Sequence, residues 1–322
     1  MKSRLFLLLA VFACSIALAQ ERPVESSGKM IPDPDRTVRF AVRDTCELLL
    51  DFYAAAPDAG PCADAPRKPL IIHIFGGAFL TGRRNNPDDR IWYRELADAG
   101  YNVAAIDYRL GMKGAQFKAS MASLRVLRSA IQMAVDDLFS ATAYLLDNAA
   151  AFGIDPDRII VSGSSAGAIT AMQAEWEICN GMAPAQVLPA WFNYAGVMSF
   201  SGAVFSMEGS VRFPQKPCPV LLFHGTADRI VPYKKITLFG MQFAGSDALA
   251  KKLTAAGGDC QIYRFKGIGH EVAASMRRNL PEELRFLEEN AVKGIHRTVD
   301  ALVEDAGLPD YGWSRMTARD LY

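Results

Sequence analysis

Three residues of this chain, in the order Ser165, Asp228, His270, could together carry out nucleophilic chemistry. Ser165 lies in Gly163-Ser164-Ser165-Ala166-Gly167, a G-x-S-x-G pattern that places a serine on a sharp turn from strand to helix. A serine hydroxyl is a poor nucleophile near neutral pH until a base takes its proton. The chain has four histidines from which to draw that base. His73 sits inside an apolar run and reads as a core residue. His296 sits among charges and reads as surface, and His224 ends a predicted strand before a turn and reads as structural. His270 differs, because it lies in Lys266-Gly267-Ile268-Gly269-His270-Glu271 directly after a predicted strand, where open parallel sheets place their sites. The imidazole then needs a carboxylate to fix its tautomer and stabilise its charge. Asp228, in Gly225-Thr226-Ala227-Asp228-Arg229-Ile230-Val231-Pro232, follows a strand of its own. A tetrahedral intermediate on Ser165 would also need donors for its oxyanion. The backbone N–H of Ala166 is one candidate, and the turn Gly76-Gly77-Ala78 after an early strand offers others.

The elements that must position these residues are legible as alternating apolar runs and helical stretches. Strands are expected over 38–42, 48–53, 70–75, 101–106, 159–162, 197–201, 219–224 and 261–265. Leu70-Ile71-Ile72-His73-Ile74-Phe75 is unbroken and apolar, as in a strand buried on both faces. Helices are expected over 88–99, stopped by Gly100, and over 123–152, stopped by Gly153 with Pro156 just beyond. Two more are expected over 169–179 and over 246–256, the latter stopped by Gly257-Gly258. From Pro281 the pattern predicts one amphipathic helix to about Asp305 and then a tail. Strands alternating with helices over this length imply an α/β fold, a mainly parallel central sheet with helices on both faces. Residues 20–36 read as an irregular arm and 37–322 as a single domain.

Half of the 322 residues are apolar and 22% are charged, so the chain is globular with ample material for a core. Lys plus Arg number 35, as do Asp plus Glu, which removes any electrostatic case for nucleic acid or an anionic membrane as partner. Residues 1–19 read as a signal peptide: Lys2 and Arg4 open it, 5–18 is apolar, and Ala17-Leu18-Ala19 precedes Gln20. An apolar run of about fourteen residues is short for a spanning helix, which needs roughly twenty, and no other stretch is apolar enough to span. Val11-Phe12-Ala13-Cys14 loosely resembles a lipobox, which would anchor the chain by lipid at Cys14; the aliphatic run beyond it and the site at Ala19 favour cleavage instead. An exported chain, periplasmic or secreted, is the expectation. Export permits disulfides, and Cys46 with Cys62 is the preferred pair among Cys46, Cys62, Cys179, Cys218 and Cys260. No cysteine or histidine spacing matches a metal site.

Taken together, Gly76-Gly77-Ala78-Phe79, Asp107-Tyr108-Arg109-Leu110, Phe152-Gly153-Ile154-Asp155-Pro156, Gly163-Ser164-Ser165-Ala166-Gly167, His224-Gly225-Thr226-Ala227-Asp228 and Gly269-His270 resemble the α/β-hydrolase superfamily. The resemblance is to its esterase/lipase branch, near the carboxylesterase and hormone-sensitive-lipase-like families. The chain is also similar to bacterial feruloyl/acetyl-xylan esterase-like proteins. The resemblance implies the α/β-hydrolase fold and a serine carboxylic ester hydrolase working through an acyl-enzyme, without metal or organic cofactor. Such families usually carry a histidine directly before the glycines, where it braces the oxyanion loop; this chain has Phe75 there and His73 two positions earlier. Trp176, Trp191, Phe192, Tyr194 and Phe205 fall where such folds often build a substrate pocket, although core packing is the expected role of most. The connections 111–123 and 181–194 are short, so no large lid is expected, which favours small or soluble esters, acylated carbohydrates among them. Two other readings stand beside this one. A serine peptidase similar to prolyl oligopeptidases would usually need a gating domain for which there is no room. A catalytically silent binding protein, like the cholinesterase-like adhesion proteins, would typically lack one of the three residues.

Overall fold

A computed structural model describes residues 31–114, 121–238, 240–305 and 307–314. The expected signal peptide and the alternative at Cys14 lie outside these residues. Nine strands form the central sheet, numbered here in chain order. At one edge β1 (Arg36–Arg43) and β2 (Cys46–Tyr53) make an antiparallel hairpin, and β2 runs antiparallel to β4 (Asn102–Ile106). Beyond β4 come β3 (Lys68–Ile74), β5 (Ile154–Ser164), β6 (Gly196–Phe200), β8 (Val220–Gly225), β11 (Cys260–Phe265) and β12 (Val299–Val303), all parallel neighbours. This matches the α/β class expected from the alternating pattern.

Every residue of β4, β6 and β8 is buried, because helices cover both faces, and that is why these strands read as continuous apolar runs. Alternate residues serve opposite cores. Leu70, Ile72 and Ile74 pack on one side of the sheet, whereas Ile71 packs with Tyr93 and Trp92 on the other. Each such side chain contributes roughly 1.5–3 kcal/mol by leaving water. Helix α1 (Pro87–Asp98) starts where the Asn86 side chain accepts a hydrogen bond from Asp88 N, with proline in the first turn. Helix α2 (Met121–Asp147) and a further turn, Ala149–Phe152, end at Gly153 in the left-handed region. Helix α3 (Ala166–Cys179) has nearly every side chain buried, packed between the sheet and α2. Helices α4 (Ser246–Ala255) and α5 (Leu280–Phe286) complete the described α-helices of ordinary pitch.

The structure departs from the sequence reading in three places, and it places most of the five aromatics in the core as expected. The helix expected over 281–305 is broken: α5 passes into a π-turn at Leu287–Val292, Gly294 takes φ +64°, and the chain then adds β12 at the sheet edge. A second, antiparallel sheet was not anticipated; β7 (Ala203–Ser206) and β9 (Lys235–Leu238) flank β10 (Met241–Gly245). The Cys46–Cys62 pair is not made. Cys46 is exposed at the tip of the β1–β2 hairpin, Cys62 is buried beside Arg158, and the five cysteines of the described residues are all free thiols. Trp191 is 63% exposed, whereas Trp176, Phe192, Tyr194 and Phe205 are buried in the core. Among the described residues, no helix is long and apolar enough to cross a membrane.

Candidate active site

Ser165 stands between β5 and α3 with φ +53° and ψ −114°, a backbone conformation that costs a non-glycine residue of order 1–3 kcal/mol and persists only where its surroundings enforce it. The enforcement is steric and local. A Cβ on Gly167 would lie 2.0 Å from the carbonyl oxygen of Ile74, and one on Gly163 would lie 2.2 Å from the backbone of Gly167. Only glycines let strand, turn and helix come this close. The Ser165 N–H donates to Phe200 O at 2.9 Å, and Ser164 Oγ donates to Ala273 O at 2.6 Å, so the turn is tied to β6 and to the loop bearing His270.

That loop and the Asp228 loop are stitched together. Ala227 N donates to Ile268 O, Thr226 N to Phe265 O, and Gly267 N to Thr226 Oγ1, each at 2.9 Å. The result is a continuous hydrogen-bonded chain. His270 Nε2 is 2.8 Å from Ser165 Oγ, and His270 Nδ1 is 2.8 Å from Asp228 Oδ2. A carboxylate can only accept, so Nδ1 carries the proton and Nε2 is left to accept from the serine. Asp228 Oδ1 accepts from Ile230 N at 2.9 Å and Val231 N at 3.0 Å. Burial works to raise the Asp228 pKa, but the attraction of His270 and hydrogen bonds from His224 and His270 outweigh it, holding the carboxyl well below the usual carboxylate range. A buried, ionised aspartate is what orients an imidazole and stabilises it once protonated.

Of the four histidines, His73 is buried against Trp92 and Tyr93, with Nδ1 3.2 Å from Ser162 Oγ. His296 is an exposed loop residue paired with Asp259. His224 is fully buried, and its position is more telling than sequence reasoning allowed. Its Nδ1 meets Ser246 Oγ at 2.7 Å, while Nε2 lies 3.0 Å from Val231 O and 3.3 Å from Asp228 Oδ2. It is therefore structural, yet it steadies the same carboxylate as His270. The four-residue spacing at a strand end in His224-Gly225-Thr226-Ala227-Asp228 was the available signal.

The turn 76–81 lies against the serine. A Cβ on Gly76 would be 3.2 Å from Ser165 Cβ and 3.0 Å from Ser164 O. Gly77, Ala78 and Phe79 all have positive φ, and Leu80 N and Thr81 N both donate to Gly77 O at 2.9 and 3.1 Å. Ala166, the residue after Ser165, opens α3, so its amide belongs to the positive end of a helix. Phe75 does not brace the turn by a polar contact of its own side chain. Its ring stacks on Tyr108 at 4.5 Å, and the Tyr108 hydroxyl donates to Phe75 O at 3.1 Å. Arg84, just beyond the turn, pairs with Asp51 at 3.1 Å and Asp107 at 2.6 Å, pinning the loop to β2 and to the end of β4. The sequence marked Asp107 and Tyr108 only as part of a matching motif, without either clamping role, and did not mark Arg84. Among the described residues, no three His, Cys, Asp or Glu side chains are grouped to hold a metal ion.

Comparison with known proteins agrees with this architecture. A family model described as phospholipase/carboxylesterase matches residues 122–287, and the BD-FAE family model matches residues 59–177. Among curated relatives, phenmedipham hydrolase of Pseudarthrobacter oxydans is 37% identical over 109 residues, 34% of this chain and 20% of that protein. A probable isoprenylcysteine alpha-carbonyl methylesterase of Oryza sativa subsp. japonica is 26% identical over 260 residues, 69% of this chain and 53% of that protein. The chain thus spans about half or less of the length of these two relatives. A solved structure of the Thermogutta terrifontis esterase Est2 with propionate bound superposes with a TM-score of 0.56 at 21% identity, covering 80% of this chain and 95% of that one. Together with the sheet order, this likeness establishes the α/β-hydrolase fold.

Proposed function

The chain belongs to the phospholipase/carboxylesterase family, and from that premise we propose that it is a serine hydrolase of carboxylic esters acting through an acyl-enzyme on Ser165. Ser165 Oγ attacks the ester carbonyl as its proton passes to His270 Nε2. Asp228, held ionised, keeps the imidazole in the required tautomer and stabilises its positive charge. The oxyanion is held by the amide of Ala166 and by amides of the Gly76–Gly77–Ala78 turn. Losing one such donor typically costs roughly 10²–10³ in rate. Collapse breaks the bond to the alcohol oxygen, which takes the proton from His270. Water then repeats the sequence on the acyl-serine.

The observation that carries this reading is the 2.8 Å contact between His270 Nε2 and a serine held at φ +53°. Backbone held in a sparsely populated region clusters at functional sites, and here it sets the hydroxyl against the imidazole. The short 181–194 connection, formed around the 3₁₀ turn Ala183–Val187, favours small or soluble esters over long-chain lipids. The segment 1–19 makes the enzyme an exported one. The test is hydrolysis of short p-nitrophenyl esters by the wild type and by Ser165→Ala. Activity should fall at least 10³-fold in the variant. Equal activity in both, or a correctly folded but inactive wild type, would refute the proposal.

A further inference from the structure

Beyond β12 the segment 307–314 returns to the His270 loop, outside the residues matched by either family model. It is anchored at both ends. Arg278 makes two hydrogen bonds to Asp305, at 2.8 and 3.1 Å, and Leu308 is buried in the core beneath. At the far end Trp313 N donates at 2.8 Å to Oε1 of Glu271, which is 2% exposed and adjoins His270 in sequence. The other carboxyl oxygen, Oε2, has no hydrogen-bond partner. Ser314 passes so close to Gly269 that a Cβ there would lie 2.5 Å from its nitrogen.

This strap sets an aromatic face beside the imidazole. The Trp313 ring lies 6.0 Å from His270 at an interplanar angle of 43°, and Tyr311 backs it at 4.9 Å and 36°. Both separations fall within the range at which rings attract. Trp92 is closed off at 1% exposure, whereas Trp313 is only partly buried and Tyr311 is 43% exposed. The rings are held at the rim of the site with surface to spare.

We propose that Trp313, backed by Tyr311, determines specificity by receiving the alcohol portion of the ester, and that the enzyme favours alcohols bearing a flat aromatic ring. The inference rests on the ester-hydrolase reading above. In that reaction the imidazole gives its proton to the departing alcohol oxygen, so the alcohol lies against His270 as the bond breaks. The acyl group stays on Ser165. A ring beside the imidazole therefore meets the alcohol, and Glu271 acts by fixing the backbone that carries it.

The test compares benzyl acetate, cyclohexylmethyl acetate and ethyl acetate, which share one acyl group. The first two have alcohols of similar acidity and size and differ in flatness. The wild type should prefer benzyl over cyclohexylmethyl acetate in kcat/KM. Trp313→Leu should lower kcat/KM for benzyl acetate about ten-fold, the scale of one lost aromatic contact, and by several-fold more than for ethyl acetate. Trp313→Phe should keep most of the preference, and benzyl alcohol should inhibit Trp313→Leu about ten-fold more weakly than the wild type. A uniform loss on all three esters, or an unchanged benzyl preference in Trp313→Leu, would overturn the inference. An active wild type with no benzyl preference would overturn it alone. A wild type inactive on all three would overturn the ester-hydrolase reading with it.

Discussion

Tyr108 braces the turn proposed to hold the oxyanion, where Phe75 rather than a histidine stands before the glycines. Its hydroxyl holds the Phe75 carbonyl at 3.1 Å, and burial pushes its pKa up, so the phenol stays a donor at any working pH. Tyr108→Phe keeps the ring stack and deletes the donor, leaving a buried carbonyl short of a partner at a cost of about 1–3 kcal/mol. We expect kcat to fall about ten-fold with KM little changed, because the turn serves the transition state more than the bound ester. A variant with unchanged kcat would remove Tyr108 from the positioning machinery. The residue scale was also where sequence served best. Ser165, Asp228 and His270 each follow a strand by one or a few residues, so strand-end position and chain order alone point to one shared site. Trp313 and Glu271 carried no such mark: their proximity to His270 depends on a return path of the chain that local pattern does not encode.

At the scale of elements, the reading succeeded where burial is two-sided and long, and failed where elements are short. The strands of the small sheet, β7, β9 and β10, have four or five residues each, and β9 and β10 follow one another with no helix between them to mark them as separate units. The 281–305 stretch failed for the opposite reason. Its apolar spacing is continuous enough for a helix, yet Gly294 turns the chain and Val299–Val303 alternates intermediate with exposed residues, as an edge strand does. Within α3, burial first of all pushes the Glu177 carboxyl up to about 7 from 4.5, against opposing hydrogen bonds from Gln132 and Gln173. Because the folded value is the higher one, the folded protein retains a proton that the unfolded chain releases between about pH 4.5 and 7. Stability should therefore fall as pH rises through that window, by up to about 3 kcal/mol from this group. Denaturant melts at pH 5 and pH 8 should show a smaller loss for Glu177→Gln than for the wild type. An equal loss in both would mean that Glu177 titrates normally.

For the whole molecule, the balance of 35 basic and 35 acidic residues leaves recognition to shape and local chemistry, and the fold puts that chemistry at the carboxyl ends of β5, β8 and β11. Bulk properties and alternation were enough to read an α/β sheet, because its inner strands, buried between helices, must be written in apolar residues. The second sheet, although β7 and β10 are buried, stands outside that alternation of strand and helix, and so does the strap. Export also belongs to this scale. The mature protein, recovered from periplasm or medium, should begin at Gln20; an intact Met1 terminus on protein retained in the cytoplasm would contradict that proposal, and a lipid-modified Cys14 terminus would replace it.

The central claim, that Ser165 is the nucleophile, is tested most directly by stoichiometric labelling with an organophosphonate ester followed by peptide mass analysis. The account predicts one label per chain, on Ser165, with esterase activity lost in proportion to labelling and no label taken up by Ser165→Ala. A label on another serine, or activity that survives complete labelling, would contradict it.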